Sequence, residues 1–369
     1  SIENEFSSTL NVKMIHRPNP IGGKAGALNL GAKIASGTYI ILLDADAVID
    51  KDYIYNLVSF MESNKEFDAV QSDISVLNGE NSEFSKTLSS SWSYLKKSLF
   101  EGKYLAGMPI ILLGSCSMIR KESLAKIGFW DGNVISDDLD ISLKLILNRC
   151  KIAYYKNSKG YLEVAETYKV FKKQNERWAY GSFEILKKYF KKIIKSDIPI
   201  KQKFDLIFFL IQHQLSLIQL LIIPIALFSL ILKRDILPLS YAFSTILITP
   251  LIIYLATLIH SSKEEGYGFL KTIRLIGSST AISTSLIWTI FKSTLLVLFN
   301  KPIKWYVSPK GDMAKKIRGP AVLEFLFGLS LVVLSVCSIY MNLFLNAAGP
   351  LIFALPHFYV AYKTYKRLW

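Results

Sequence analysis

Cysteine, histidine and acidic residues are scarce in this sequence, and each shortage removes a class of protein. The three cysteines, Cys116, Cys150 and Cys337, are odd in number, far apart and in no CxxC pair, so neither a disulfide scaffold nor a zinc knuckle is supported. A reducing, cytosolic face is expected for them. Four histidines show no metal-ligand spacing, and His16 and His357 read as structural. Only 20 Gly and 12 Pro in 369 residues exclude a collagen-like chain, and 51% hydrophobic residues exclude disorder. No repeat or low-complexity tract is visible, and no cleavable leader, since Ser1–Leu10 carry Glu3 and Glu5 and lack an apolar core. With 29 Asp plus Glu against 44 Lys plus Arg, the formal charge is +15.

A mean hydropathy of +0.31 beside 20% charged residues points to separate polar and apolar regions. Leu206–Leu232 and Ile236–Ser262 each run for 27 positions without Asp, Glu, Lys or Arg, and Phe325–Tyr362 for 38. A helix rising about 1.5 Å per residue crosses a bilayer core with about 20 apolar residues, so each run is long enough. Asn346–Pro350 is a turn-type cluster that divides the third run. Crossings are therefore expected near 206–232, 236–262, 325–343 and 347–362. The apolar stretch 281–299 is read as an amphipathic helix in the interface, because a fifth crossing would place two basic clusters on opposite sides of the membrane. Those clusters are the seven lysines between Lys187 and Lys203 and the six basic residues from Lys301 to Arg318. Four crossings put both on the cytosolic side. Basic flanks beside anionic lipid account for the positive charge, and no nucleic-acid-binding motif is present. His213, Gln212, Gln214 and Gln219 in the first crossing are expected to face other helices or a wet path.

The expected organisation is a cytosolic domain over 1–200 and a membrane domain over 201–369. In the first, the β-rich runs Tyr39–Leu43, Ala69–Gln71, Ile110–Leu113 and Ile152–Tyr155 alternate with helical patterns, which argues an α/β sheet covered by helices. Ligands of such sheets collect at the carboxyl ends of the strands. Asp44-Ala45-Asp46 ends the first run, where one carboxylate can hold a divalent cation and the other a sugar or ribose hydroxyl. Ser136-Asp137-Asp138-Leu139-Asp140 opens a helix; a Ser cap and the helix dipole explain Ser136 and Asp137. Three carboxylates in four positions exceed that need, and their repulsion raises at least one pKa toward that of a general base. Two further groups are Gln174-Asn175-Glu176-Arg177-Trp178, within a helix from Thr167 toward Phe190, and the loop Trp305–Gly311.

In this order the groups resemble the membrane-integrated family 2 glycosyltransferases, the processive β-glycan synthases of cellulose, chitin, hyaluronan and poly-N-acetylglucosamine type. Lys24-Ala25-Gly26-Ala27-Leu28-Asn29 is similar to the family's KAGNLN stretch, Asp44-Ala45-Asp46 to its DxD, and Ser136-Asp137-Asp138 to its TED. Gln174, Arg177 and Trp178 match Q(R)xxRW, and Trp305–Lys310 is similar to the FxVTxK gating loop. The resemblance implies an α/β GT-A-type catalytic domain, a nucleotide diphosphate sugar as donor, most often a UDP-sugar, and a glycan or lipid acceptor at a membrane. It implies Asp138 as catalytic base, Lys24, Asp44, Asp46, Arg177 and Lys310 at the donor, and Mg²⁺ or Mn²⁺ on Asp46. Gln174, Trp178, Gly114 and Ser115 would meet the acceptor. Gln71, Ser115 and Tyr154 are candidates for shaping sugar choice. The alternative is single transfer to a lipid, as in ceramide glucosyltransferase-like relatives; the gating-loop match favours the polymer. The sequence departs from the pattern at Leu113, which stands for Cys before Gly114-Ser115, at Ser136 and Asp137, which stand for Thr and Glu, and at Asn175, which stands for a basic residue. Because the family has an earlier strand-and-helix set with another Asp for the nucleotide base, a chain incomplete at its N-terminus is the expectation.

Overall fold

The computed structural model describes residues 13–236, 256, 259–260 and 266–369. Its strands are β1 (Tyr39–Leu42), β2 (Val48–Ile49), β3 (Ala69–Val76), β4 (Ser117–Arg120) and β5 (Ile152–Leu162), in the sheet order β1-β4-β3-β5-β2. β3 and β5 are parallel; β4 runs antiparallel to both β1 and β3, and β2 antiparallel to β5. The helices are α1 (Gly23–Ile34), α2 (Tyr53–Ser63), α3 (Glu83–Lys96), α4 (Lys121–Lys126), α5 (Asp137–Leu147), α6 (Tyr168–Lys195), α7 (Ile200–Leu215), α8 (Ile222–Leu232), α9 (Phe269–Ser285), α10 (Ile287–Leu298), α11 (Gly311–Lys316), α12 (Val322–Tyr340) and α13 (Phe344–Tyr365).

Side chains alternate across the strands, so the sheet carries a core on each face. Val70, Met118 and Ala153 pack with Tyr53, Leu57 and Met61 of α2, whose spacing of four puts them on one helical stripe. Their neighbours Ala69, Ile119 and Ile152 face the opposite way, into a cluster with Leu143 and Ile146 of α5 and Ile185 and Tyr189 of α6.

Ile110–Leu113, expected as a strand, is a buried loop without ladder partners. Side chains replace the ladder there: the Leu112 N–H donates to Ser142 Oγ (2.9 Å) and the Leu113 N–H to Gln71 Oε1 (2.8 Å). The strand forms four residues later, after Gly114 and Cys116 have turned the chain through left-handed backbone conformations.

Among the described residues, four helices are long and apolar enough to cross a membrane: Ile200–Leu232, in which a 3₁₀ turn joins α7 to α8, Phe269–Leu298, in which α10 follows α9, then α12 and α13. The crossing expected near 236–262 falls largely outside the described residues. Phe269–Leu298, which contains all but the last residue of the 281–299 stretch read as interfacial, is the most enclosed of the four, with 61% of its most apolar part buried against 11% for Ile200–Leu232. It lies along α6, joined by Lys292 to Glu176 (2.8 Å) and by Ser293 Oγ donating to the Glu176 carbonyl (3.1 Å). Gln214 of α7 also reaches α6, donating to the Ala179 carbonyl (2.9 Å). The last two helices turn at Met341–Leu343, with Asn342 at φ 58°, rather than at Asn346–Pro350. Asn346 is instead a buried junction, its amide donating to Ser338 Oγ (2.7 Å) and to the Ala226 carbonyl of α8 (3.2 Å).

Candidate active site

β1 delivers Asp44 to the carboxyl edge of the sheet, and two neighbours fix it there. Its backbone N–H donates to Ser115 Oγ (3.0 Å), and its carboxylate accepts from Lys24 Nζ (2.6 Å). Lys24 stands in the first turn of α1, which Gly22 and Gly23 enter with φ of 74° and 54°. The same ammonium donates to the Gly114 carbonyl (2.9 Å). Gly114 has φ +72°, and a Cβ at this position would lie 3.1 Å from Asp138 Cβ and 3.5 Å from Lys24 Nζ. Lys24, Asp44, Gly114, Ser115 and Asp138 thus share one place, although 90 residues separate Lys24 from Gly114. Burial lowers the Lys24 pKa, but Asp44, Asp137 and Asp138 outweigh it and leave the ammonium held above its ordinary value.

At the start of α5, Ser136 occupies the cap position without a capping side-chain hydrogen bond. Gly181 of α6 packs against it, and any Cβ there would overlap Ser136 Oγ. The three carboxylates that follow have different surroundings. Asp140 is fully buried and tied down by Lys188 (2.5 Å), Lys144 (3.2 Å) and the Tyr189 hydroxyl (2.9 Å). Asp137 is buried with Oδ2 lacking a partner among the described residues, and burial raises its pKa against the pull of Lys24. Asp138 accepts the Leu139 N–H on Oδ1 (2.8 Å); burial first, then repulsion from Asp137, pushes its pKa up to about 6. A carboxylate poised there is ionised at neutral pH and basic enough to accept a proton.

Positive charge approaches from two sides. The Arg177 guanidinium of α6 lies over the Trp305 ring, 4.5 Å from its centroid, and its field lowers the pKa values of Asp137 and Asp138. Lys310 pairs with Asp46 (2.8 Å) and donates to the Glu163 carbonyl (2.7 Å). The segment between Trp305 and Lys310 is therefore fastened at both ends against the site. Gln174 is buried on α6, whereas Trp178 is 41% exposed, its ring edge-on to Phe171 at 6.1 Å. These two join the group by sharing α6 with Arg177.

Ser115 is fully buried beneath Asp44, so it supports that residue from below. Gln71 and Tyr154, expected to shape sugar choice, are buried in structural roles: Gln71 bonds Cys116 and Leu113, and the Tyr154 hydroxyl donates to Asp73 (2.7 Å). The Glu163 carbonyl and Gly181 went unnoticed in the sequence. A main-chain acceptor leaves no sequence signal; a glycine within a long helix, three residues after Trp178, was the available clue to close packing.

Asp46 and Asp44 offer hard oxygen ligands, and among the described residues no group of three or more His, Cys, Asp or Glu forms a cage. Two carboxylates are the donor type that a hard divalent cation takes, with waters and substrate phosphates completing its shell.

A family model described as glycosyl transferase family group 2 matches residues 39–260. The chain is 28% identical over 368 residues to a probable glycosyltransferase of Sulfolobus acidocaldarius, covering 97% of this chain and 78% of that protein. It is 28% identical over 292 residues to a poly-beta-1,6-N-acetyl-D-glucosamine synthase of Staphylococcus epidermidis, covering 76% and 68%. Among solved structures, a mannosyltransferase of Pyrobaculum calidifontis in complex with GDP-Man and Mn²⁺ aligns with 81% of this chain and 74% of its own, at 16% identity and a TM-score of 0.44.

Proposed function

The chain belongs to glycosyl transferase family group 2, and from that premise we propose that it is an inverting transferase extending a β-linked polysaccharide at a membrane from a nucleotide diphosphate sugar. Its α/β part is a GT-A-type catalytic domain, and the apolar helices follow it. The observation that carries the proposal is the convergence of Lys24, Asp44, Gly114 and Asp138 at the carboxyl edge of the sheet.

Asp138 takes the proton from the acceptor hydroxyl as that oxygen bonds to the anomeric carbon. The bond from this carbon to the diphosphate breaks on the opposite face, so an α-linked donor yields a β-glycoside and a free nucleoside diphosphate. Lys24, Arg177 and Lys310 supply positive charge where the leaving group gathers negative charge. Asp46, with Asp44 beside it, would hold Mg²⁺ or Mn²⁺, which supplies further charge neutralisation when bound. Trp178 presents a flat apolar face to an acceptor sugar ring, with Gln174 and Gly114 along the same path. Ser115 acts from beneath, by fixing Asp44. The basic segments around 187–203 and 301–318 support a cytosolic setting for this domain.

The relationship to a poly-N-acetylglucosamine synthase supports a polymer product and makes UDP-N-acetylglucosamine the first donor to try. Radiolabelled UDP-sugars supplied to the protein in native membranes should yield polymer that stays at the origin in organic-solvent chromatography. A solvent-extractable single-sugar lipid with no polymer would overturn the polymer reading and favour transfer to a lipid.

A further inference from the structure

The helix α10, packed along α6, carries a groove of about 390 Å³ lined by Trp288, Phe291, Lys292, Leu295, Leu296, Phe299 and Lys301. Trp288, Phe291, Leu295 and Phe299 recur every three or four residues, so they form one stripe along the helix. Among the described residues the stripe is uncovered at both ends: Trp288 is 37% exposed and Phe299 70%. Its charge is concentrated at one end. Lys301 is exposed just past the helix terminus, and Lys187 reaches the same terminus, donating to the Val297 carbonyl (3.1 Å) and to Asn300 Oδ1 (2.8 Å). Lys292, midway along, is drawn aside by Glu176 (2.8 Å), which leaves the middle of the stripe apolar.

An apolar trough ending in cationic groups matches an amphiphile with an anionic head. The groove lies on Phe269–Leu298, itself long and apolar enough to cross a bilayer, and Trp288 touches Phe327 of α12, another such helix, so the amphiphile within reach is a membrane lipid. We propose that this groove binds an anionic phospholipid, one acyl chain lying along Trp288–Phe299 and the phosphate at Lys301. Aromatic and leucine side chains supply the apolar contact for the chain, while an ammonium beside the helix end selects the charge of the head. The proposal rests on the membrane placement of these helices and is independent of the transfer chemistry.

Trp288 makes the test local. The full chain is reconstituted in phosphatidylcholine vesicles containing phosphatidylglycerol, with bromine on the acyl chains of one lipid at a time, and tryptophan quenching is recorded. Brominated phosphatidylglycerol should quench more strongly than brominated phosphatidylcholine at equal mole fraction, and Trp288→Phe should remove that excess. Lys301→Gln, at an exposed position, should reduce the preference roughly fivefold, the weight of one lysine near an anionic surface. Equal quenching by the two lipids would overturn the proposal. So would a preference untouched by Lys301→Gln, or cross-linking through the groove that shows a second copy of the chain seated there.

Discussion

Asp138→Asn separates chemistry from folding, because the two respond to this change in opposite directions. Asn keeps the shape of the side chain and an oxygen to accept the Leu139 N–H, but it cannot take a proton. Loss of a general base costs about 10²–10⁴ in rate, so sugar transfer should fall by at least that factor. Stability should rise. The Asp138 carboxyl goes from 3.8 to about 6 on folding, a shift of about two pKa units driven by burial and Asp137. At about 1.4 kcal/mol per unit, and discounted for the partial exposure of the side chain, ionised Asp138 disfavours the native state by about 1–3 kcal/mol. The sign follows from proton uptake: between pH 3.8 and about 6 the native state holds a proton that the unfolded state releases. The wild type therefore loses stability as pH rises through this window, and the variant does not. Chemical unfolding of both proteins in the same detergent should show the variant more stable at pH 7.5, with the gap closing toward pH 4. The acid limb of wild-type activity should have its midpoint near pH 6. A variant less stable at every pH, or a gap that ignores pH, would refute the assignment of a strained, proton-accepting carboxylate.

Gly114→Ala forces an L side chain into φ +72° with its Cβ 3.1 Å from that of Asp138; it should cost about 1–2 kcal/mol and lower kcat, read by unfolding and single-turnover rates. Mn²⁺ should bind weakly to the protein alone, where Asp46 is paired with Lys310, and much more tightly with a nucleoside diphosphate. Electron paramagnetic resonance of free Mn²⁺ measures this, and undiminished binding in Asp46→Asn would remove Asp46 as the ligand. Trp178→Ala should raise the acceptor KM about tenfold, the weight of one ring contact, and leave the donor KM unchanged in initial-rate assays with a defined oligosaccharide acceptor.

How far the sequence could be read depended on whether a feature was held together locally or at a distance. Two of the three apolar runs, 206–232 and 325–362, reappear as Ile200–Leu232 and as α12 and α13, because a helix satisfies its own backbone and needs no partner to declare itself. Tyr39–Leu43 gave β1 within one residue. Ile110–Leu113 reads as a strand on composition alone, yet its amides are bonded to Gln71 and Ser142, 42 and 30 residues away, and no local pattern encodes those partners. β4 escaped notice for the converse reason. Ser117–Arg120 is short and mixed, and it pairs with β1 and β3 only after Gly114 and Cys116 have taken left-handed conformations.

The acidic residues make the same point more sharply, since four of one kind have four different surroundings. Asp44 is bridged by Lys24 to the Gly114 carbonyl, Asp46 is closed by Lys310, and Asp140 is locked by two lysines and a tyrosine; Asp138, against Gly114, is bonded to an adjacent amide and kept basic by burial. Sequence spacing could place Asp137, Asp138 and Asp140 on one helical turn, but it could not say which of them lysines would neutralise. That division depends on Lys188, 48 residues beyond Asp140, and on Gly181, whose missing side chain lets α6 close on the start of α5. If this is the physical basis of the base assignment, Lys188→Met should destabilise the fold by uncovering the Asp140 charge. It should not move the acid limb of activity, because the carboxylate that limb reports is not the one Lys188 holds.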